Sequence, residues 1–500
     1  MQLSAYLDFA VDSLLQADLS YLTSPTDYDT SWAARLRNPD GTLAYPDLLQ
    51  TLVERQHADG SWGGQQPNVY DRLVTTLSVV TLLARYGDRR QDREALLAGQ
   101  RYVWRQVGRV HNGSSSTVGF EMIVPTLIEE GLKLGLQLPH AHLHRFEADR
   151  RAKIRLLPVD KLSEKITTAL FSLEAFANAE LDLTNIKNLL ANDGSVAGSP
   201  SATAWLLGQD PNWRERYPES TQYIETLLGR YESGLPSVAP YDLFARSWVL
   251  HNLYHGGLLH DREPLLSHHY QHLKERWDPE LGVGASSNAI PDSDDTAMVI
   301  LALVRAGHDV DGRLLLAYER EDYFAVFEHE RHPSISANLH ILEAIDTLPQ
   351  SHRPRVKEKI LRYVLNARQH GTLWTDKWHA SAYYPTSQAI IALSPHVPHE
   401  MERTLDWLLF TQQANGGWGQ YAVTVEETAL SLLALLFYQR NVGTIPEEPV
   451  HRAAAYLLEH EKPFATNYPE LWIAKALYTP TFIIQSVVLA ALNLYQDMYG

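Results

Sequence analysis

Two closely similar turns constrain this chain more than anything else in it. Gln56-His57-Ala58-Asp59-Gly60-Ser61-Trp62-Gly63-Gly64 and Gln412-Gln413-Ala414-Asn415-Gly416-Gly417-Trp418-Gly419 each close one helical stretch and precede another. A related turn, Asn192-Asp193-Gly194-Ser195, leads into a helix at Thr203. The glycines permit the tight turn, and the indole sets a large ring between successive helices. Such a unit, repeated, is the signature of stacked helix pairs. Leu3, Leu7, Ala10, Val11, Leu14 and Leu15 mark a first amphipathic helix, and helical periodicity runs through nearly every later segment. Alternating helices joined by these turns can close into double rings. The expected fold is all-α, built of α/α barrels.

Within that frame one stretch carries chemistry: Ala289-Ile290-Pro291-Asp292-Ser293-Asp294-Asp295-Thr296-Ala297. Pro291 stands where a helix can begin, and the acids crowd the first turn, at the positive end of the helix dipole. The residues that follow, 297–304, are apolar all round, which predicts a buried helix. Asp292 and Asp295 are three apart and share a face, with Asp294 beside them. Three carboxylates this close cannot all ionise cheaply, so at least one should keep its proton at neutral pH. A neutral acid braced by its neighbours is a proton donor. The same spacing also suits plain helix capping, or a magnesium or calcium ion.

Composition narrows the partners. Five hundred residues suggest two to three domain-sized units. Lys plus Arg is 43 against 60 for Asp plus Glu, a net charge of −17 with no basic stripe, which argues against nucleic acid. There is no cysteine, so disulfides, iron–sulfur clusters and thiolate zinc sites are excluded. The longest apolar runs, 430–438 and 487–492, are too short for a transmembrane segment. The first eight residues show no basic region or cleavage site, and the expectation is a cytoplasmic protein. His251 and His255 are four apart, and His268, His269 and His272 cluster. None belongs to a His-Glu-x-x-His motif, and packing or surface exposure is the reading for all five.

The tryptophan turns together with Asp292-Ser293-Asp294-Asp295-Thr296 resemble the class II terpene cyclases. Flanking segments narrow the likeness to the diterpene branch, and to its bacterial kolavenyl and halimadienyl diphosphate synthases. They are Tyr28-Asp29-Thr30-Ser31-Trp32, Val118-Gly119-Phe120-Glu121, Pro240-Tyr241-Asp242-Leu243-Phe244, Asp376-Lys377-Trp378-His379 with Ser381-Ala382-Tyr383-Tyr384, and Leu471-Trp472-Ile473-Ala474-Lys475. The resemblance runs essentially end to end. It implies two α/α barrels, with residues 1–17 plus 265–500 forming a β domain and 18–264 an inserted γ domain.

What the resemblance implies for chemistry is specific. Asp294 would protonate the terminal alkene of geranylgeranyl diphosphate, tuned by Asp292 and Asp295 and oriented by Asn338. Bicyclisation would follow with the diphosphate retained, so a downstream class I synthase or phosphatase is implied. Lys165 and Lys377, the latter beside Trp378, would hold the diphosphate, and Mg2+ would bridge it, with Glu121 the nearest candidate ligand. Many relatives carry an acidic cluster just before the Val-Gly-Phe-Glu segment; here the residues are His111-Asn112-Gly113-Ser114-Ser115-Ser116. Plant enzymes that make the unrearranged copalyl skeleton use a His and an Asn to hold the deprotonating water, and this chain has Phe171 and Ser237 there. A phenyl ring cannot act as a base. The cation is therefore expected to undergo hydride and methyl shifts to a clerodane or halimadane diphosphate, kolavenyl diphosphate first. The Asp-Asp-x-x-Asp pattern of class I synthases fails, because Thr296, Ala297 and Met298 follow Asp294-Asp295. The alternatives are a copalyl diphosphate synthase, a squalene-hopene-type triterpene cyclase, and a non-catalytic α/α repeat scaffold.

Overall fold

The computed structural model of the chain describes residues 3–21, 23–110, 116–156, 167–176, 181, 183, 185–328, 330, 332–460 and 467–500. Two compact units are present: Met1–Leu22 with Tyr241–Pro469 and Pro480–Gly500, and Thr23–Pro240 with Glu470–Thr479. The boundaries thus differ from the expected 1–17 plus 265–500 and 18–264. Residues 241–264 join the first unit because the helix Asp242–His255 is buried on nearly every face and needs neighbours all round.

In the first unit six helices form a closed inner ring. Asp242–His255, Ser293–Arg305, Ile335–Glu343, Tyr383–Leu393, Val425–Asn441 and Thr481–Tyr499 each pack on the next, and the last packs on the first. These helices are apolar around their circumference; every residue of Tyr383–Leu393 is buried. The helices lying against the ring are amphipathic instead. Arg353–Asn366, for example, buries only Val356, Ile360 and Val364. In the second unit Asp27–Ala33, Val69–Tyr86, Phe120–Lys133, the 3-10 turn Thr168–Phe176 and Pro200–Leu207 close a smaller ring in the same way. Both units are α/α barrels.

One fastening recurs at the start of the inner helices. Four residues after the N-cap, a side chain ties down the apolar residue of an adjoining turn or strand, which in all but one case precedes the helix. Thr296 accepts from Val283 N and donates to Val283 O, both at 3.0 Å. Thr386 accepts from Trp374 N and Thr428 from Trp418 N, each at 3.0 Å, while Thr30 holds Leu235 N at 3.0 Å and Thr203 holds Val196 N at 2.9 Å. Asn338 does the same for Phe324, accepting from its N–H and donating to its C=O at 2.9 Å. The plugging indoles of Trp62, Trp374 and Trp418 donate to carbonyls ten residues back, Leu52 at 2.5 Å and Val364 and Leu408 at 2.7 Å. The glutamines are explained too. Gln56 bridges Gly60 O and Ala95 O, and Gln412 bridges Gly416 O and Pro449 O, so each pins its turn to a later helix. Gly60 and Gly416 take φ of +90° and +89°, where a side chain would strain and strike the facing backbone.

Candidate active site

The acid-bearing helix begins at Ser293 rather than at Pro291, because Asp292 is its N-cap. The Asp292 Oδ1 accepts from Asp294 N at 2.9 Å and Asp295 N at 2.8 Å, satisfying two amides that a helix start leaves orphaned. Ser293 ties the same turn to the 318–326 segment, through Ala325 O at 2.9 Å and Val326 O at 3.2 Å. All three acids are buried. Burial, reinforced by the Asp294 charge and opposed by hydrogen bonds from Asp295 and the two amides, pushes Asp292 up to about 7. Burial, then the charges of Asp292 and Asp294, raise Asp295 well above the ordinary carboxylate range. Asp292 and Asp295 therefore hold a proton between them at neutral pH.

Asp294 has a different partner. Its Oδ1 lies 2.6 Å from His340 Nδ1, 46 residues on, in the next helix of the ring. Burial pulls the imidazolium's pKa down, but the Asp294 charge and hydrogen bond, with Glu343 and Asp376 behind them, outweigh it and raise His340. A charged His340 donating to Oδ1 stabilises the carboxylate left when a proton departs from the other oxygen. The histidine ring is packed edge-on by Trp248 at 5.4 Å, and Trp248 Nε1 donates to Tyr384 Oη at 3.3 Å. Phe244 lies against Trp248 at 4.2 Å, and Tyr241 against Phe244 at 4.4 Å. Burial, and next the Asp294 charge, raise Tyr384 well above its usual value, so it stays a neutral phenol. An acid beside a row of aromatic faces can deliver a proton and steady the cation that results.

Asn338 does not meet the acid. Its side-chain bonds go to Phe324 N, Phe324 O and Ser334 O, so it acts on the acid helix only through the 318–326 segment. It occupies the fastening position that threonine fills elsewhere, and His340, two residues on, is the group that touches Asp294. The Asp376 carboxylate caps the helix that carries both, accepting from Ile335 N at 2.7 Å and Ser336 Oγ at 2.9 Å.

The expected diphosphate and metal residues fare unevenly. Lys165 lies outside the described residues, as do residues 111–115. Lys377 forms an ion pair with Glu330 and sits over the Trp378 ring at 4.5 Å. Glu121, in the second unit, is buried and paired with Lys153 at 2.6 Å. That charge is already matched, and Glu121 is not part of any metal-ligand cluster found among the described residues. The described residues therefore do not fit a magnesium site at Glu121. Phe171 is half-buried under Lys475, whose Nζ lies 4.6 Å from the ring and donates to Phe171 O at 2.8 Å. Ser237 is buried, and its hydroxyl has no hydrogen-bond partner among the described residues. No described helix is long and apolar enough to cross a membrane.

Comparison with known proteins gives the family. The squalene-hopene cyclase C-terminal domain family matches residues 322–484. A type B diterpene cyclase of Mycobacterium tuberculosis is 33% identical, over 97% of this chain and 98% of its own length. A (+)-kolavenyl diphosphate synthase of Herpetosiphon aurantiacus is 30% identical, over 98% of each. The solved structure of an ent-copalyl diphosphate synthase from Streptomyces platensis superposes with a TM-score of 0.80 at 28% identity, covering 98% of this chain and 99% of that one. The likeness runs over nearly the whole length of both chains in each case, and the chain belongs to the class II, or type B, diterpene cyclases, enzymes that cyclise by internal rearrangement.

Proposed function

We propose that this cyclase takes geranylgeranyl diphosphate, protonates its terminal alkene from Asp294, and closes two rings with the diphosphate retained. The observation that carries the reading is the 2.6 Å contact of Asp294 with His340 inside a buried cluster that already holds a proton on the Asp292–Asp295 pair. An alkene is a very weak base, so the acid must be positioned as well as strong; general acid catalysis contributes roughly 10²–10⁴-fold. Trp248, Phe244 and Tyr384 offer the aromatic faces, each worth about 0.5–2 kcal/mol to a desolvated cation. Magnesium would serve as the counter-ion of the diphosphate.

The product proposed is a rearranged clerodane or halimadane diphosphate, kolavenyl diphosphate first. Phe171 supports this, since a phenyl ring offers no base where copalyl-forming plant enzymes hold their deprotonating water, and a relative of similar length is a (+)-kolavenyl diphosphate synthase. The second reading is a copalyl diphosphate synthase, favoured by the likeness to the Streptomyces platensis enzyme. Incubation with geranylgeranyl diphosphate and magnesium, then phosphatase treatment and NMR of the alcohol, separates them. Kolavenol or a halimadane alcohol is expected, and copalol as sole product would overturn the rearranged assignment. Phe171→His should shift the mixture towards less-rearranged skeletons.

A further inference from the structure

At the far ends of the helices that carry Asp294 and His340 lies a cluster the proposed reaction does not use. Glu343 sits one helical turn after His340. Its Oε2 is 3.3 Å from His255 Nε2 and 3.4 Å from Arg305 Nη2, and its Oε1 is 3.7 Å from His251 Nε2. Two histidines four apart and a glutamate from another helix suggest a metal site, but Arg305 argues otherwise. Its Nη1 lies 3.0 Å from His251 Nδ1, and a guanidinium only donates, so that nitrogen must accept. The neutral ring then carries its proton on Nε2, facing Glu343, where a metal would need a lone pair. The cluster is a carboxylate gathered by N–H groups.

We propose that Glu343, held ionised by His251, His255 and Arg305, is a positioning residue for the proton donor: its charge favours the imidazolium of His340, which in turn stabilises the Asp294 carboxylate that proton transfer leaves behind. Geometry links the two sites. The His251 ring packs against His340 at 5.9 Å and 71°, and Trp248, one turn earlier on the same helix, packs edge-on against it at 5.4 Å. Burial favours a neutral Glu343, but the surrounding histidines and Arg305 reverse this and hold it far below the usual carboxylate range. Burial keeps His251 and His255 below the ordinary imidazole value, and hence neutral. The groups facing His340 are Asp294 from the acid helix, Asp376 from the segment before Tyr383, Glu343 from its own helix, and neutral His251 and Trp248 from Asp242–His255. Arg305 pairs with Glu343 at 3.4 Å, so the Glu343 charge offsets a cation that would otherwise oppose the imidazolium.

This inference rests on Asp294 being the donor, and its test does not depend on the substrate. Histidine-selective 15N NMR of the free protein, with His340 assigned by its loss in His340→Asn, follows protonation directly. In Glu343→Gln, His340 should lose its proton at lower pH than in wild type, because an anion has gone and Arg305 is left unbalanced. Glu343→Asp, which keeps the charge but withdraws it, should move the titration less and in the same direction, and serves alone if the glutamine variant does not fold. The alkaline limb of the pH–rate profile should move to lower pH in step. A His340 titration unmoved in both variants overturns the proposal, even if turnover falls, since a purely structural Glu343 would lower rate without moving that titration. Failure of the wild type to cyclise geranylgeranyl diphosphate would overturn the substrate assignment and leave the titration result standing.

Discussion

Asp292 is asked for two things that oppose each other. As N-cap it is best ionised, accepting two amides; as a buried neighbour of two other acids it is best protonated. The native state therefore keeps protons on Asp292 and Asp295 at pH values where the unfolded chain has released them. Stability from such raised groups is full below the unfolded carboxylate value near 4 and is lost as pH rises, for Asp292 up to about 7. Asp295→Asn should remove part of that loss: at pH 8 the variant should melt about 2–8 °C above wild type, and the gap should narrow as pH falls and close near pH 4, as calorimetry would read. Equal pH slopes would contradict the assignment. At this scale the three acids are legible in sequence because they are local, four consecutive positions with a physical reason to interact. His340 is not, because nothing in the chain announces a contact across 46 residues, and the resemblance assigns to Asn338 the contact its neighbour makes.

The repeating element is the fastened turn, and it explains which parts of the motif are structural. Asp295 and Thr296 stand three and four residues after a cap, as Asp29 and Thr30 follow Thr26 and as Glu427 and Thr428 follow Thr424. Asp294 is the addition that makes a fastening into an acid site. Asn338→Ala should strand both the N–H and the C=O of Phe324, costing about 1–3 kcal/mol for each buried group left unpaired, measurable by urea unfolding. Activity loss with unchanged stability would instead favour direct contact with the acid. Trp374→Phe should likewise cost about 1–3 kcal/mol through the unmet Val364 carbonyl. The turns at Trp62 and Trp418 are legible because Gln, Gly and Trp recur at fixed spacing. Those at Val283 and Phe324 are not, because the plug there is not an indole, and only the tether identifies them.

At the scale of the whole chain, helical periodicity points to α/α barrels, while the boundaries the resemblance implies differ from those of the two compact units. Residues 470–479 return to the second unit, a step no composition change marks. Lys475 shows what holds them there: wholly buried, it donates to Glu174 and Phe171 O at 2.8 Å, to Ser199 at 2.7 Å, and to Ser201. Lys475→Met leaves the Glu174 charge buried and unpaired and should cost about 3–5 kcal/mol, with Lys475→Met plus Glu174→Leu recovering much of it. The most direct test of the account runs the reaction in D2O with geranylgeranyl diphosphate. If a carboxylic acid at 294 starts the cyclisation, each bicyclic product molecule carries one solvent deuterium on the carbon of the former terminal alkene, the diphosphate stays attached, and Asp294→Asn slows turnover by roughly 10²–10⁴-fold or more. Release of inorganic pyrophosphate with each turnover, or undiminished cyclisation by Asp294→Asn, would contradict it.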